Sequence, residues 1–261
     1  MPAAKPPAPS DRYTYYELAV TNPGPLARFL RAVHGRDPIV LGEDFSGAAA
    51  LCRAWLESAR SARAVAVDSD PAPLRHAPRS ARLQRVVADV RAANHPADVI
   101  AATNFPVGYW HTRADLVAYL RHARSRLNPD GIFVCDLYGG PDAMIPKVTT
   151  RKMYEKDGTP FWYVWEQRSA NPLTGRVMNA IHFRCPAAHG GVRHLKNAFT
   201  YDWRLWSIPE LREAMTDAGF ATTEVHDRLG GAIDGDGTLY VRPIDDPAEL
   251  DENYVVYVVA R

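Results

Sequence analysis

In the first half of the chain, short apolar runs alternate with segments whose apolar residues recur at helical spacing. Ile39–Leu41, Ala64–Val67, Leu83–Ala88, Asp98–Ala102 and Ile132–Leu137 read as strands. Ala64–Val67 is apolar throughout, as expected of a central parallel strand buried on both faces. The run Ala48–Trp55 reads as a helix, with Leu51, Trp55 and Leu56 on one side. Pro71, Pro73 and Pro78 keep the next helix short or irregular. Thr112 is placed to cap a helix running to Leu127, whose apolar positions are Leu116, Val117, Leu120 and Leu127. Two short helices, Tyr13–Val20 and Pro25–Val33, precede the first strand, with Pro23-Gly24-Pro25 as the break between them. Asn128-Pro129-Asp130-Gly131 reads as a turn. This alternation predicts an α/β chain with a doubly wound, mostly parallel sheet.

The texture then changes. Phe161–Gln167, Val177–Arg184 and Val192–Tyr201 are β-rich and separated by turns at Asn171–Gly175 and Ala187–Gly191, which predicts an antiparallel meander. A helix at Ile208–Ala218, stopped by Gly219, resumes the main pattern. Strands at Ala221–His226 and Tyr254–Ala260 bring the Rossmann-like sheet to seven. The expected organisation is a flexible tail over 1–12, a main domain over 13–140 and 202–261, and an inserted cap over 141–201.

Composition narrows the partners. Lys and Arg total 31 against 30 Asp and Glu, so no net field draws the chain to nucleic acid or to a membrane surface. Arg121, Arg124 and Arg126 read as a solvated helix face. Three cysteines far apart, Cys52, Cys135 and Cys185, suggest no disulfide framework and point to a reducing cytoplasm. No run reaches the roughly 20 apolar residues that span a bilayer. The Pro- and Ala-rich start, Met1–Ser10, lacks the apolar core of a signal peptide.

The chemistry gathers where the strands end. The run Ile39–Leu41 leads into Gly42-Glu43-Asp44-Phe45-Ser46-Gly47 and then a helix, and Val65–Val67 ends in Asp68. A tight turn that lets backbone approach a ligand, followed by an acid for the ribose hydroxyls, suits a nucleoside-containing cofactor. Asp89 and Asn104 close the third and fourth strands, so four polar residues fall on one rim of the predicted sheet. The meander carries Phe161, Trp162, Tyr163, Trp165, Phe183, Phe199, Tyr201 and Trp203, which serve equally as core or as an apolar, cation-attracting wall.

In its order of elements and strand ends, Tyr13–Arg261 resembles the class I S-adenosylmethionine-dependent methyltransferases. Glu43 matches the family's acid after the first strand and Gly47 a retained glycine, while Phe45 and Ala49 stand where the family has two others. The turn resembles more closely the Arg-Glu-Asp-Phe-Cys-Gly form of one subgroup. Trp203–Leu211 and Ala218-Gly219-Phe220 match a packing signature of such enzymes. The resemblance implies S-adenosylmethionine as cofactor. It implies a site formed by Glu43, Phe45, Ser46 and Gly47, by Asp68 and Ser69 at the ribose, by Asp89 and Val90 at the adenine, and by Asn104 and Phe105 facing the substrate. Tyr13, Tyr15 and Tyr16 would belong to an initial helix over the cofactor, with Tyr16 in contact. Transfer to nitrogen or oxygen of a small molecule then rests mainly on alignment. Where the acceptor arrives protonated, His111, Tyr138, His182 and Tyr201, with Tyr109 beside them, are the candidate catalytic groups.

Two other readings stay open at this level: a nicotinamide-dependent oxidoreductase, and a non-catalytic binding module of the same fold. The first wants Gly-x-Gly-x-x-Gly, which the chain lacks. No metal is expected. His182 and Cys185 would point to opposite faces of a strand, His189 and His194 notwithstanding, and Asp234-Gly235-Asp236-Gly237 lacks the later ligands of a calcium loop. Ser46 lacks the flanking glycines of a hydrolase nucleophile. Exposed strands of the meander could pair two copies into a homodimer.

Overall fold

Asp11 caps α1 (Arg12–Val20), its carboxylate accepting the amides of Tyr13 and Thr14 at 3.0 Å each. α2 (Pro23–His34) starts on Pro23, because a first-turn proline lacks only an amide that would have no helical partner. Pro23 therefore opens the second helix and does not merely separate the two. β1 (Val40–Asp44), α3 (Ala50–Ser58), β2 (Arg63–Asp68), the single turn α4 (Pro71–Leu74), β3 (Leu83–Val87), β4 (Ala97–Ala102), α5 (Arg113–Ser125) and β5 (Leu127–Gly139) follow in the expected alternation. Four further strands come next: β6 (Lys147–Tyr154), β7 (Pro160–Asn171), β8 (Arg176–Pro186) and β9 (Val192–Arg204). α6 (Ile208–Asp217), β10 (Thr223–His226), the short pair β11 (Ala232–Ile233) and β12 (Leu239–Tyr240), and β13 (Tyr254–Ala260) complete the chain. This computed structural model describes residues 11–187, 190–227, 229–230, 232–233 and 239–261. The expectations for the tail Met1–Ser10, for His189 in its turn and for Asp234–Gly237 lie outside the described residues.

The chain forms two compact units: α1 with Met144–Trp203, and Asn22–Ala143 with Arg204–Arg261. In the larger unit seven strands lie in the order β10-β13-β5-β4-β1-β2-β3. β3, β2, β1, β4 and β5 run parallel, and β13 is antiparallel to both its neighbours. Leu26, Phe29, Leu51 and Trp55 from α2 and α3 form the core on one face, and Leu116, Leu120, Leu211 and Met215 from α5 and α6 form it on the other. Trp55 donates its indole N–H to the Ile39 carbonyl at 3.0 Å, with the Arg31 guanidinium 4.1 Å over its ring. Trp55→Phe removes that bond while keeping an aromatic ring, and is expected to cost about 1–2 kcal/mol. The urea midpoint measures it, and an unmoved midpoint would show that the bond contributes nothing.

Two local readings are corrected. Asn128–Gly131 is not a free turn before the fifth strand. Leu127 pairs with Ala97 and Ile132 with Val99, so the intervening residues bulge out within β5. Asp130 takes φ 63° there, and a Cβ on Gly131 would lie 2.9 Å from the Asn128 carbonyl oxygen, so the turn chemistry is spent on a bulge. In the smaller unit the antiparallel sheet has four strands, β6-β7-β8-β9, where three were expected. β6 was illegible because it is an edge strand, exposed along nearly its whole length, and carries no apolar alternation. Its Lys147, Arg151 and Lys152 are charges of the kind that discourage strand addition at an open edge.

Phe161, Tyr163 and Trp165 of β7 share one face of the smaller unit's sheet with Phe183 of β8, while Trp162 points to the other, under Arg184. Tyr163 lies opposite Phe183, and Trp165 opposite Ile181. α1 packs there: the Tyr15 ring lies 4.8 Å from Phe161 and 5.6 Å from Phe183, and its hydroxyl donates to Glu155 at 3.0 Å. This packing explains why α1 groups with the antiparallel sheet and not with the parallel one.

Candidate functional site

Parallel strands leave their carboxyl ends on one rim, and ligands of open α/β sheets bind there, beside the point where strand order reverses. Here the reversal lies between β1 and β4, which are neighbours in the sheet although β2 and β3 intervene in the chain. The turn after β1 occupies that point. Phe45, Gly47 and Ala49 all stand in the left-handed region, with φ of 58°, 53° and 57°. Every second position therefore has the conformation that glycine adopts at no steric cost, and two of the three are filled by residues with a Cβ, at roughly 1–2 kcal/mol each. The ladder around them holds the shape: Ser46 N–H donates to the Val67 carbonyl at 3.0 Å and Ala49 N–H to the Ser46 carbonyl at 2.8 Å. A Cβ built on Gly47 meets nothing within 4 Å, so the turn faces open space at that residue. The Ser46 hydroxyl is buried without a hydrogen-bond partner.

Acids tie this turn to the sheet. Asp68, at the end of β2, accepts the Gly47 amide on Oδ2 at 2.8 Å and the Asp70 amide on Oδ1 at 2.9 Å. Burial nonetheless raises its pKa. Glu43 accepts the Cys52 amide at 2.9 Å in the first turn of α3, a task its helix leaves open because the N-cap is Ala49. Desolvation pushes the Glu43 carboxyl up to about 7, partly offset by that bond. Asp44, next in the chain, is held differently. Arg126 reaches both its oxygens, at 3.1 and 2.5 Å, and the Tyr119 hydroxyl donates to it at 2.9 Å. Arg126 was expected on a solvated helix face. It is buried, because the chain turns inward at the C-cap of α5 and Asp44 supplies the counter-charge.

The other predicted rim residues follow in strand order. Ala88 N–H donates to the Asp68 carbonyl, which sets Asp89 beside Asp68 at the ends of adjacent parallel strands. Asp89 is half-exposed and pairs with Arg91, which holds its carboxyl below the usual range. Val90 is buried in the core and Ser69 is exposed. Asn104 and Phe105, after β4, are both left-handed, with φ of 70° and 68°. Their amides donate to the two oxygens of Asp136 at 2.8 and 2.7 Å. Asp136 is buried on β5, and desolvation pushes its carboxyl up to about 7. The Phe105 ring meets Tyr138 edge-on at 5.0 Å, and Phe45 stacks on Tyr109 at 6.0 Å.

The structure thus brings Glu43, Phe45, Ser46, Gly47, Asp68, Ser69, Asp89, Val90, Asn104 and Phe105 to one rim of the larger unit. Of the candidate catalytic groups, Tyr138 and His111 belong to the same unit, Tyr138 at the end of β5 and His111 just before α5, its carbonyl accepting Arg204 at 3.2 Å. His182 and Tyr201 belong to the smaller unit. His182 lies between Glu166 Oε2 at 3.0 Å and the amide of Asn197 at 2.9 Å. Tyr201 stacks on Trp203 with centroids 4.3 Å apart. Tyr16 packs on Phe199 at 4.9 Å.

Sequence reasoning missed Asp136 and the buried Asp44, to which Arg126 and Tyr119 both donate. Asp136 had a signal: an acid inside the apolar run Ile132–Leu137 of a buried strand needs a partner. Among the described residues no three His, Cys, Asp or Glu side chains come together as a metal site, and no helix is long and apolar enough to cross a membrane. A cavity of about 490 Å³, lined by His34, Arg36, Arg124, Asn128, Phe220 and Arg261, opens at the amino end of β5, away from the rim.

No protein-family model and no curated protein sequence matches the chain. Solved structures do. The sugar N-methyltransferase KedS8 from Streptoalloteichus is 16% identical over 100% of this chain and 98% of its own, with a TM-score of 0.68. CalS10, an amino pentose methyltransferase from Micromonospora echinaspora solved with S-adenosylmethionine bound, is 16% identical over 98% of both chains, with a TM-score of 0.67. An S-adenosylmethionine-dependent methyltransferase from Clostridium acetobutylicum is 14% identical over 94% of this chain and 95% of its own, at 0.66. The mostly parallel seven-stranded sheet with its reversed β13, covered by helices on both faces, therefore has the fold of the class I S-adenosylmethionine-dependent methyltransferases.

Proposed function

We infer that the chain transfers a methyl group from S-adenosylmethionine to a nitrogen or oxygen of a small molecule. The observation that carries this reading is the turn after β1. It keeps three alternate left-handed residues, leaves open space at Gly47 and buries an unpartnered hydroxyl on Ser46. These are features of a cradle that a ligand completes. Asp68 would accept the ribose hydroxyls on the lone pairs that the Gly47 and Asp70 amides leave free. Asp89 and Val90 would border the adenine, and Asn104 and Phe105 the reacting end. Tyr16 of the smaller unit is proposed as a further cofactor contact.

The bound sulfonium would supply an already activated methyl group. The protein's share is then alignment, worth on the order of 7–11 kcal/mol in favourable cases. KedS8 and CalS10 are described as sugar N- and amino pentose methyltransferases, which makes a small amine the first acceptor to try. A protonated amine must lose its proton before it attacks. His111 and Tyr138 in the larger unit, and His182 and Tyr201 in the smaller, are the groups proposed to face it.

Calorimetry with S-adenosylhomocysteine tests the reading. Saturable binding is expected, and no heat at millimolar ligand would end the assignment. Asp68→Ala should weaken that binding by about 1–3 kcal/mol through loss of charge-assisted bonds. Unchanged affinity would mean that the ribose lies elsewhere.

A further inference from the structure

Asp136 takes no role in the cofactor contacts above, yet both its oxygens are committed to the rim. Its two oxygens each accept one amide, from Asn104 at 2.8 Å and from Phe105 at 2.7 Å. Both donors have positive φ, which side chains with a Cβ rarely adopt, and two in succession need an outside partner to persist. That partner comes from a different strand, because β4 and β5 are parallel neighbours and Ala102 pairs with Cys135 in register. Asp136 then falls opposite the residues that leave β4. No side-chain cation is paired with it among the described hydrogen bonds, so the amides are what stabilise the carboxylate.

We propose that Asp136 is a positioning residue for the transfer: by accepting both amides of Asn104–Phe105, its carboxylate holds that left-handed pair in the shape that borders the reacting end of the cofactor. The proposal rests on the methyltransferase reading and deepens it. Only a carboxylate fits the task. An asparagine at the same place offers one acceptor oxygen and turns an NH₂ group against the second amide. A protonated carboxyl is also the poorer acceptor, so the clamp depends on ionisation. The titratable groups that face Asp136 are Cys135 beside it on β5 and Tyr257 opposite it on β13. Burial raises the pKa of both, so both stay neutral across pH 6–8. From the turn after β4, the Asn104 and Phe105 amides meet it.

Calorimetric titration of wild type and D136N with S-adenosylhomocysteine, at several values between pH 6 and 8, tests this. The wild type should bind more tightly as pH rises. D136N should bind at least tenfold more weakly at pH 8 and lose that part of the pH dependence. A purely structural role would leave the profile parallel to that of the wild type. Equal affinity and profile in wild type and D136N would overturn the proposal and leave the methyltransferase reading standing. Binding by neither protein would remove both. If D136N does not fold, the wild-type amide proton shifts decide. Asn104 and Phe105 titrating together between pH 6 and 8, with affinity following, support the clamp, and constant shifts overturn it.

Discussion

Replacing Arg126 with leucine should destabilise the protein by about 3–5 kcal/mol, the usual consequence of stranding one charge of a buried pair. The side chains of Arg126 and Asp44 are 4% and 0% exposed, and the pair is bidentate. Without the guanidinium, Asp44 would keep only the Tyr119 hydroxyl at 2.9 Å. A single neutral donor does not repay the loss of hydration of a carboxylate. The double variant Asp44→Leu with Arg126→Leu should recover most of the loss, because a buried pair replaced as a whole by apolar groups is often close to neutral. Urea denaturation of the wild type, the two single variants and the double variant closes the cycle. A loss below about 1 kcal/mol in the single variant would show that Asp44 carries no buried charge. Asp44 directly precedes the turn at Phe45–Ala49, so the pair also anchors the proposed cradle at its base.

The second large effect is on stability as a function of pH. Glu43 is pushed from 4.5 to about 7 by burial, and Asp136 from 3.8 to about 7. Both folded values lie above the unfolded ones, so the folded state holds these protons more tightly. The resulting stability is complete below about pH 4 and is lost as pH rises through about 7. For Glu43 alone this is on the order of 3 kcal/mol. His34 and His226 act in the opposite sense. Burial lowers their pKa, so their contribution is present above 6.5 and lost as pH falls. The comparison that isolates Glu43 is wild type against Glu43→Gln, since both proteins share the histidines. Glutamine keeps a carbonyl for the Cys52 amide. The stability of the variant relative to the wild type should improve by about 3 kcal/mol between pH 4.5 and 7.5. A difference that stays constant over that range would refute the buried, proton-holding carboxyl.

Much of the rim was legible because it is local. The apolar run ending in Gly42–Gly47, and Val65–Val67 ending in Asp68, each declare a strand and its stop within a few residues. Parallel strands then put those stops on one side without further information. Phe45 and Ala49 show how far such reading goes. The resemblance puts them in two glycine positions, and both hold the left-handed φ that glycine would. The edge strand β6 was not legible, since an exposed strand leaves no periodicity to read. The bulge at Asn128–Gly131 looked like a turn because the same residues serve both.

What the sequence determined by itself is the alternation of strand and helix, the polar residues at strand ends and the capping residues, for each depends on neighbours a few positions away. Tertiary structure alone decided which acid meets which donor. Asp44 finds Arg126 across 82 positions and Asp136 finds Asn104 across 32. It also decided that α1 joins the antiparallel sheet, through Tyr15 on Phe161 and Phe183. The physical reason is common to all three. A buried charge, amide or ring is satisfied by whatever the fold brings beside it, and that neighbour is set by strand order and packing, which leave no mark in the local pattern of the chain.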